Sequence, residues 1–274
     1  MMNTKNIIDA HCHIYPEKIA LKAVESVERF YPELPRDSHD GTARTLIESG
    51  AKAGIDRFLV HSVATNPLQV GSINRFISGC VAASEGRFIG FGTLHPLSPR
   101  LREDFEDLIG LELRGVKLHP DIQEFAADIP EAMLIYSWCE ERNMPVLVHT
   151  GDYRYDYSNP DRIANILRTF PGLSFIGAHF AGWSVWDQSA KQLSDFPNLT
   201  VDTSSSLYFL GREKAKQLID VWTPDRMMFG TDYPLWQQQP EIDFLMSLGL
   251  SEDDYDKIFR KTAERVIGFT PVQA

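Results

Sequence analysis

The sequence predicts a (β/α)8 barrel, an α/β fold in a single domain over residues 1–274, and three observations carry that expectation. Eight short, apolar, β-rich segments recur along the chain with longer amphipathic stretches between them, the alternation that builds a parallel sheet covered by helices. The 274-residue length is that of eight such units. Seven of the eight histidines fall at or near the C-terminal ends of the first six segments, the end at which such barrels gather their functional side chains.

The first segment is IIDAHCHI, residues 7–14. Strict alternation sets His11 and His13 on one face with Ile7 and Asp9, and Ile8, Ala10, Cys12 and Ile14 on the other, so two imidazoles aim at one point. Helical stretches follow in PEKIALKAVESVERF and GTARTLIESGAKAG, separated by YPELPRDSHDG (residues 31–41), whose Pro-rich polar composition predicts an ordered loop near the barrel mouth. DRFLVHSV ends near His61, and RFIGFGTLHP ends near His95 ahead of the helical RLREDFEDLIG. LRGVKLHP places Lys117 and His119 on a common strand face. IPEAMLIYSWCEERN, with Pro near its start and Asn at its end, leads into PVLVHTG and His149. The loop GDYRYDYSNP and helical DRIANILRTF precede LSFIGAHFAG with His179; LTVDTSS carries Asp202; RMMFGTDYP carries Asp232; and PEIDFLMSLG with EDDYDKIFRKTAERVIGF closes the chain in helices. Because the eighth strand of a barrel lies beside the first, Asp232 is expected next to His11 and His13. A doubly wound open sheet, the alternative architecture, would place a Gly-rich phosphate turn after the first strand, and HCHIYPEK is not one.

Composition narrows the function. A formal charge of −11 disfavours nucleic acid and acidic membrane surfaces, which leaves a small molecule as the expected partner. There is no apolar run of about 18 residues for a membrane span, and Asp9, His11 and His13 interrupt the only candidate leader, so a cytoplasmic protein is expected. Cys12, Cys80 and Cys139 lie far apart with no C-x-x-C spacing and read as buried thiols. Homo-oligomerisation is left open.

Imidazoles clustered with one carboxylate are the donor set of Zn²⁺, Fe²⁺ or Mn²⁺. The order of the motifs, H-x-H on strand one, VKLHP on strand four, VLVHTG on strand five, GAHFAG on strand six and GTDYP on strand eight, resembles the amidohydrolase superfamily. Within it the sequence is similar to the compact single-metal branch of uncharacterised metal-dependent hydrolases and of aromatic-acid and aminocarboxymuconate-semialdehyde decarboxylases. The resemblance implies one divalent metal, zinc first with manganese or iron as alternatives, held by His11, His13, His149 and Asp232. It also implies that His179 orients or deprotonates an activated water or polarises the substrate, with Asp232 able to shuttle the proton to a leaving group. Lys117 corresponds to a strand-four lysine that two-metal members carbamylate, so a second metal is expected only if Lys117 is carbamylated; otherwise Lys117 and His119 are expected to contact substrate. A C-terminal Gly-Asn-Ala segment common in the branch is replaced here by Lys261, Thr262 and Ala263.

Other residues have supporting roles in this reading. His61 and His95 are expected as hydrogen-bond partners of the ligands or as substrate contacts, Asp202 and Asp9 as groups that orient a ligand. Arg154, interleaved with Tyr153, Tyr155 and Tyr157, is expected to grip a substrate carboxylate, and Trp183 and Trp186 to pack the following helix. The leading expectation is a hydrolase that uses a metal-activated water on a small, carboxylated ester, lactone or amide. A metal-dependent non-oxidative decarboxylase of an aromatic or unsaturated acid is the alternative. A metal-dependent deoxyribonuclease, which would need an acidic ligand on strand four, and a non-catalytic ligand-binding barrel stand further back.

Overall fold

The computed structural model describes residues 6–35 and 37–269. Eight strands, β1 (Ile7–His13), β2 (Ile55–His61), β3 (Phe88–Thr93), β4 (Gly115–Leu118), β5 (Val146–Val148), β6 (Phe175–Gly177), β7 (Leu199–Asp202) and β8 (Met227–Met228), pair in parallel in sequential order. The sheet closes where Ala10 N donates to Phe229 O (2.8 Å), Asp232 N to His11 O (2.9 Å) and His13 N to Tyr233 O (2.6 Å). This is the (β/α)8 barrel that the alternation predicts. Those bonds also pin the segment after β8 against β1, which delivers Asp232 to the histidine pair.

The helices are α1 (Ala20–Phe30) and α2 (Ala43–Lys52) between β1 and β2, α3 (Val70–Ala83) after β2, α4 (Leu101–Gly110) after β3, and α5 (Pro120–Gln123) and α6 (Pro130–Glu141) after β4. They continue with α7 (Pro160–Thr169) after β5, the single turn α8 (Ala178–Ala181) and α9 (Trp186–Leu193) after β6, α10 (Leu207–Trp222) after β7, and α11 (Gln238–Ser247), α12 (Glu252–Asp256) and α13 (Thr262–Ile267) after β8. The sequence pattern marks no helix at α3, because apolar residues occupy more than one of its faces and blur the single-stripe period.

Alternate strand residues serve two cores. Phe58, Val60, Val116, Leu118, Val146 and Val148 pack outward under the helices. Leu59, Phe91, Leu147, Ile176 and Met228 fill the barrel, where Ala263, Ile267 and Phe269 join them. On β1 strict alternation fails. Ile8 and Ala10 belong to the interior, whereas Ile7, Cys12 and Ile14 belong to the outer layer. The register with β2 breaks between Ile7 and Ile8 and again between Asp9 and Cys12. A bulge re-aims the side chains that follow it, so His11 and His13 face the barrel mouth although Ala10 faces inward below them. The expectation that Ile7 shares the histidines' face, and that Ala10 shares that of Cys12, is corrected accordingly.

Candidate metal centre and cavity

Each functional side chain is set by the C-terminal end of a strand. His13 ends β1 and pairs in register with His61 at the end of β2; His119 and His149 follow β4 and β5 directly; His179 lies two residues past β6; Asp202 ends β7; Asp232 lies four residues past β8. Gly230 permits the closure, since a Cβ there would meet His11 Cβ at 2.9 Å. His179 and Asp232 both have left-handed backbone, φ 61° and 65°, a conformation non-glycine residues adopt at a cost and mostly where function demands it.

His11 Nε2 and His13 Nε2 each lie 3.4 Å from the same Asp232 oxygen, Oδ1. Asp202 Oδ2 accepts from His11 Nδ1 at 2.8 Å, which fixes the tautomer and leaves Nε2 bare toward Asp232. Asp232 Oδ2 accepts from the Ser205 hydroxyl (2.5 Å), which itself accepts from Trp236 Nε1 (2.8 Å), so the carboxylate is held with Oδ1 toward the histidines. Lys117, fully buried and projecting inward between the outward Val116 and Leu118, sets Nζ 3.2 Å from His11 Nε2.

His149 is displaced from this trio. Its Nε2 lies 3.1 Å from the Gly151 carbonyl and 3.3 Å from the Tyr31 hydroxyl, and its Nδ1 lies 3.0 Å from His179 Nε2. His179 Nδ1 in turn lies 3.0 Å from the Ser204 carbonyl. Carbonyls only accept, so they hold the protons on His149 Nε2 and His179 Nδ1. The lone pairs of His149 Nδ1 and His179 Nε2 then face each other, an arrangement that a cation or shared proton relieves. Burial pushes His11, His13, His61, His119 and His149 well below the usual imidazole range, and His179 to about 4. These rings are therefore neutral donors. Burial also lifts Asp232 to about 6 and lowers Lys117 to about 8.

His61 does not act as the hydrogen-bond partner expected of it. Both its ring nitrogens are buried with no partner, and the ring stands edge-on to His11 and His13 at centroid distances of 4.8 and 4.4 Å. Leaving one such atom unpaired costs about 1–3 kcal/mol. An orphaned nitrogen beside bare His11 Nε2, opposed lone pairs on His149 and His179, and a neutral nitrogen and carboxylate donor set all fit a divalent transition metal. His11, His13 and His61 form one group that could hold an ion; His119, Asp121 and His149 form another.

Other expected residues fall into place differently. His119 stacks on His149 at 3.9 Å, and its Nδ1 accepts from Ile122 N (3.3 Å), which caps α5 and turns Nε2 to the Tyr31 hydroxyl (3.1 Å). His95 accepts from Leu97 N (3.3 Å) and closes a turn away from the centre. Asp9 accepts from Thr231 N (3.0 Å), Thr231 Oγ1 (2.6 Å) and His11 N (3.2 Å), and so ties β1 to the closing segment. Arg154 forks onto Asp152 (3.0 and 2.7 Å), donates to the Phe30 carbonyl (2.6 Å) and sits over Phe30, Tyr31, Tyr155 and Trp183. These partners engage its guanidinium, and it is not among the residues that line the cavity described below. Trp183 packs on Tyr31 and lines the cavity, and Trp186 Nε1 donates to the His179 carbonyl (3.1 Å). Tyr31, Asp121 and Ser205 carry no motif in the sequence; the only hints are Tyr31's place in the 31–41 loop and Asp121's place two residues after His119.

The centre opens into a cavity of 580 Å³ whose floor is His13, Lys117, His119, His149, His179 and Asp232. A family model described as Amidohydrolase matches residues 8–269, and the chain belongs to that family. Among solved structures it is similar to an uncharacterised TIM-barrel protein from Bordetella bronchiseptica (23% identity, TM-score 0.81, covering 96% of this chain and 98% of that one). It is also similar to a dihydroxybenzoic acid decarboxylase from a Polaromonas species with bound manganese and the inhibitor 2-nitroresorcinol (16%, 0.72, 96% and 97%). A candidate 2-pyrone-4,6-dicarboxylic acid hydrolase from Pseudomonas putida is a third (16%, 0.68, 97% and 98%). At these identities the structural likeness speaks for the fold alone; the family match is what supports an enzyme. No helix among the described residues is long and apolar enough to cross a membrane.

Proposed function

We propose a metal-dependent hydrolase that acts on the ester, lactone or amide carbonyl of a small molecule, with His11, His13, His149 and Asp232 as metal ligands and zinc as the first candidate ion. The observation that carries this reading is the convergence of His11 Nε2 and His13 Nε2 on Asp232 Oδ1, 3.4 Å from each, at the floor of a cavity. A bound divalent ion supplies Lewis acidity to a carbonyl and acidifies water. The chain's own residues do the rest. Asp202 keeps His11 Nε2 unprotonated for ligation, and Ser205 holds Asp232 Oδ1 inward, where it can take up a proton and return it to the leaving group. His179, a neutral ring anchored by Ser204, orients the attacking group or the scissile carbonyl. Lys117 Nζ offers a cation to developing negative charge at the floor.

One observation favours decarboxylation as a second reading. Lys117 places its ammonium where a substrate carboxylate would meet the centre, and a dihydroxybenzoic acid decarboxylase shares the fold. Turnover in ¹⁸O-labelled water and in deuterated water separates the two: solvent oxygen in the acid product means hydrolysis, whereas solvent deuterium on product carbon without oxygen incorporation means decarboxylation and overturns the first reading. The cytoplasm is the compartment this reading assumes, with no nucleic acid or membrane partner.

A further inference from the structure

We infer that the substrate presents one polar reacting head to the centre and carries an extended, uncharged apolar body, two to three rings or a medium-length acyl or arylalkyl chain, held between α1 and α3. This deepens the proposed function and rests on it for the identity of the head. A helix on a barrel needs one apolar stripe for packing, and α1 and α3 have theirs in the buried Ala20 and Val24, and Val70 and Ile77. Each carries a second stripe turned to the cavity: Ile19 at the N-cap of α1 with Ala23, Val27 and Phe30 within it, at helical spacing, and Ile73 and Phe76 on α3. These side chains are only partly covered by protein, and Ile19 is half exposed. Two apolar faces that meet over an open cavity gain by burying an apolar ligand, about 25 cal/mol for each Å² removed from water.

Charge is arranged the same way. The walls also carry polar but uncharged groups, Ser26, Thr65, Gln69 and Ser72, and among the described residues Lys117 is the only lysine or arginine lining the cavity. Arg154, which sits over the lining residues Phe30, Tyr31 and Trp183, is committed to Asp152, and Glu124 adds an acid to the lining. A second or third carboxylate held away from the floor would meet uncharged walls or that acid, and no cation. Size agrees. An apolar cavity of about 150 Å³ holds one benzene ring, and this one measures 580 Å³, so a single-ring acid leaves most of it empty.

Binding of n-alkanehydroxamates, from acetohydroxamate to decanohydroxamate, to the zinc-loaded protein by titration calorimetry tests this. The hydroxamate engages the centre and the tail reads the walls. The ratio between long and short members isolates the tail, with about a three- to fourfold gain per methylene expected until the space is filled. Ala23→Trp is expected to abolish the gain while acetohydroxamate binds as in the wild type, which also certifies the variant's fold; Ile73→Asp on the opposite wall gives a second reading of the same loss. Affinity flat with tail length, or benzene-1,3,5-tricarboxylate binding more tightly than decanohydroxamate, overturns the inference. If instead the tail gain persists but acetohydroxamate binds equally well after the metal is stripped by chelator, the apolar body stands and the proposed head chemistry falls.

Discussion

The floor of the cavity and its walls are built on opposite principles. The floor is assembled from strand ends, which a closed hydrogen-bonded barrel holds rigid, and its side chains are further fixed by partners: His11 by Asp202, Asp232 by Ser205, His179 by Ser204. The walls are helix faces whose apolar side chains are only partly covered by protein. Rigid, neutral nitrogens with one carboxylate suit an ion whose ligand geometry must be prepaid in folding; half-covered apolar stripes suit a ligand recognised by area. The contrast separates reaction from recognition within one cavity, as expected of barrels that keep their strand ends and vary what surrounds them.

The contrast can be broken first at the floor. Asp232→Asn removes the one anionic donor and its proton-carrying role, and activity is expected to fall by about 10³-fold or more, with bound metal lost on dialysis; steady-state kinetics with metal analysis checks both. Asp202→Asn leaves every proposed ligand in place but lets the His11 ring turn, and metal affinity measured with a competing chelator is expected to weaken by about 10–100-fold. The wall side is tested by Arg154→Ala. If Arg154 positions the aromatic cluster around Tyr31, the change costs about 2 kcal/mol because the buried Asp152 Oδ2 loses its partner and Oδ1 keeps only the backbone N–H of residue 154, roughly 4 °C or more in Tm, while metal content is unchanged. An unchanged Tm with a KM that rises only for carboxylated substrates would show the gripping role instead.

A last test falls on Glu241, whose buried carboxylate has an oxygen with no hydrogen-bond partner. Its buried carboxyl is pushed up to about 8, mainly by desolvation and then by the charges of Asp9 and Asp232, from an ordinary value of 4.5. A folded-state value raised above the unfolded one gives stability that is fully present below the unfolded value and is lost as pH rises through the folded one. Wild type should therefore lose stability relative to Glu241→Gln between about pH 5 and pH 8, a difference that chemical denaturation at the two pH values would detect.

Most of the floor was legible in the sequence because one of its cues is local and the other follows from closure of the barrel. Apolar segments that end in histidine place His11, His13, His119, His149 and His179 at strand ends, and closure of the barrel places Asp232 beside the first pair. What escaped depends on distance or on a broken period. The β1 bulge inverts the face of Ala10 without a glycine or proline to announce it. Helix α3 hides because its two apolar stripes serve two surfaces, and that same ambiguity is the signature of the cavity wall. Tyr31 meets His119 and His149 from nearly ninety residues away or more, and Phe30 and Trp183, which Arg154 sits over, come from α1 and the turn before α9.

Metal content per chain tests the central claim most directly, measured by elemental analysis on protein purified without chelator, for wild type, His11→Ala and Lys117→Ala. Near one equivalent in wild type, lost in His11→Ala and kept in Lys117→Ala, is the result predicted. Near two equivalents, one of them lost with Lys117, would instead indicate a carbamate-bridged pair, and protein that holds no metal and binds none on titration would contradict the account.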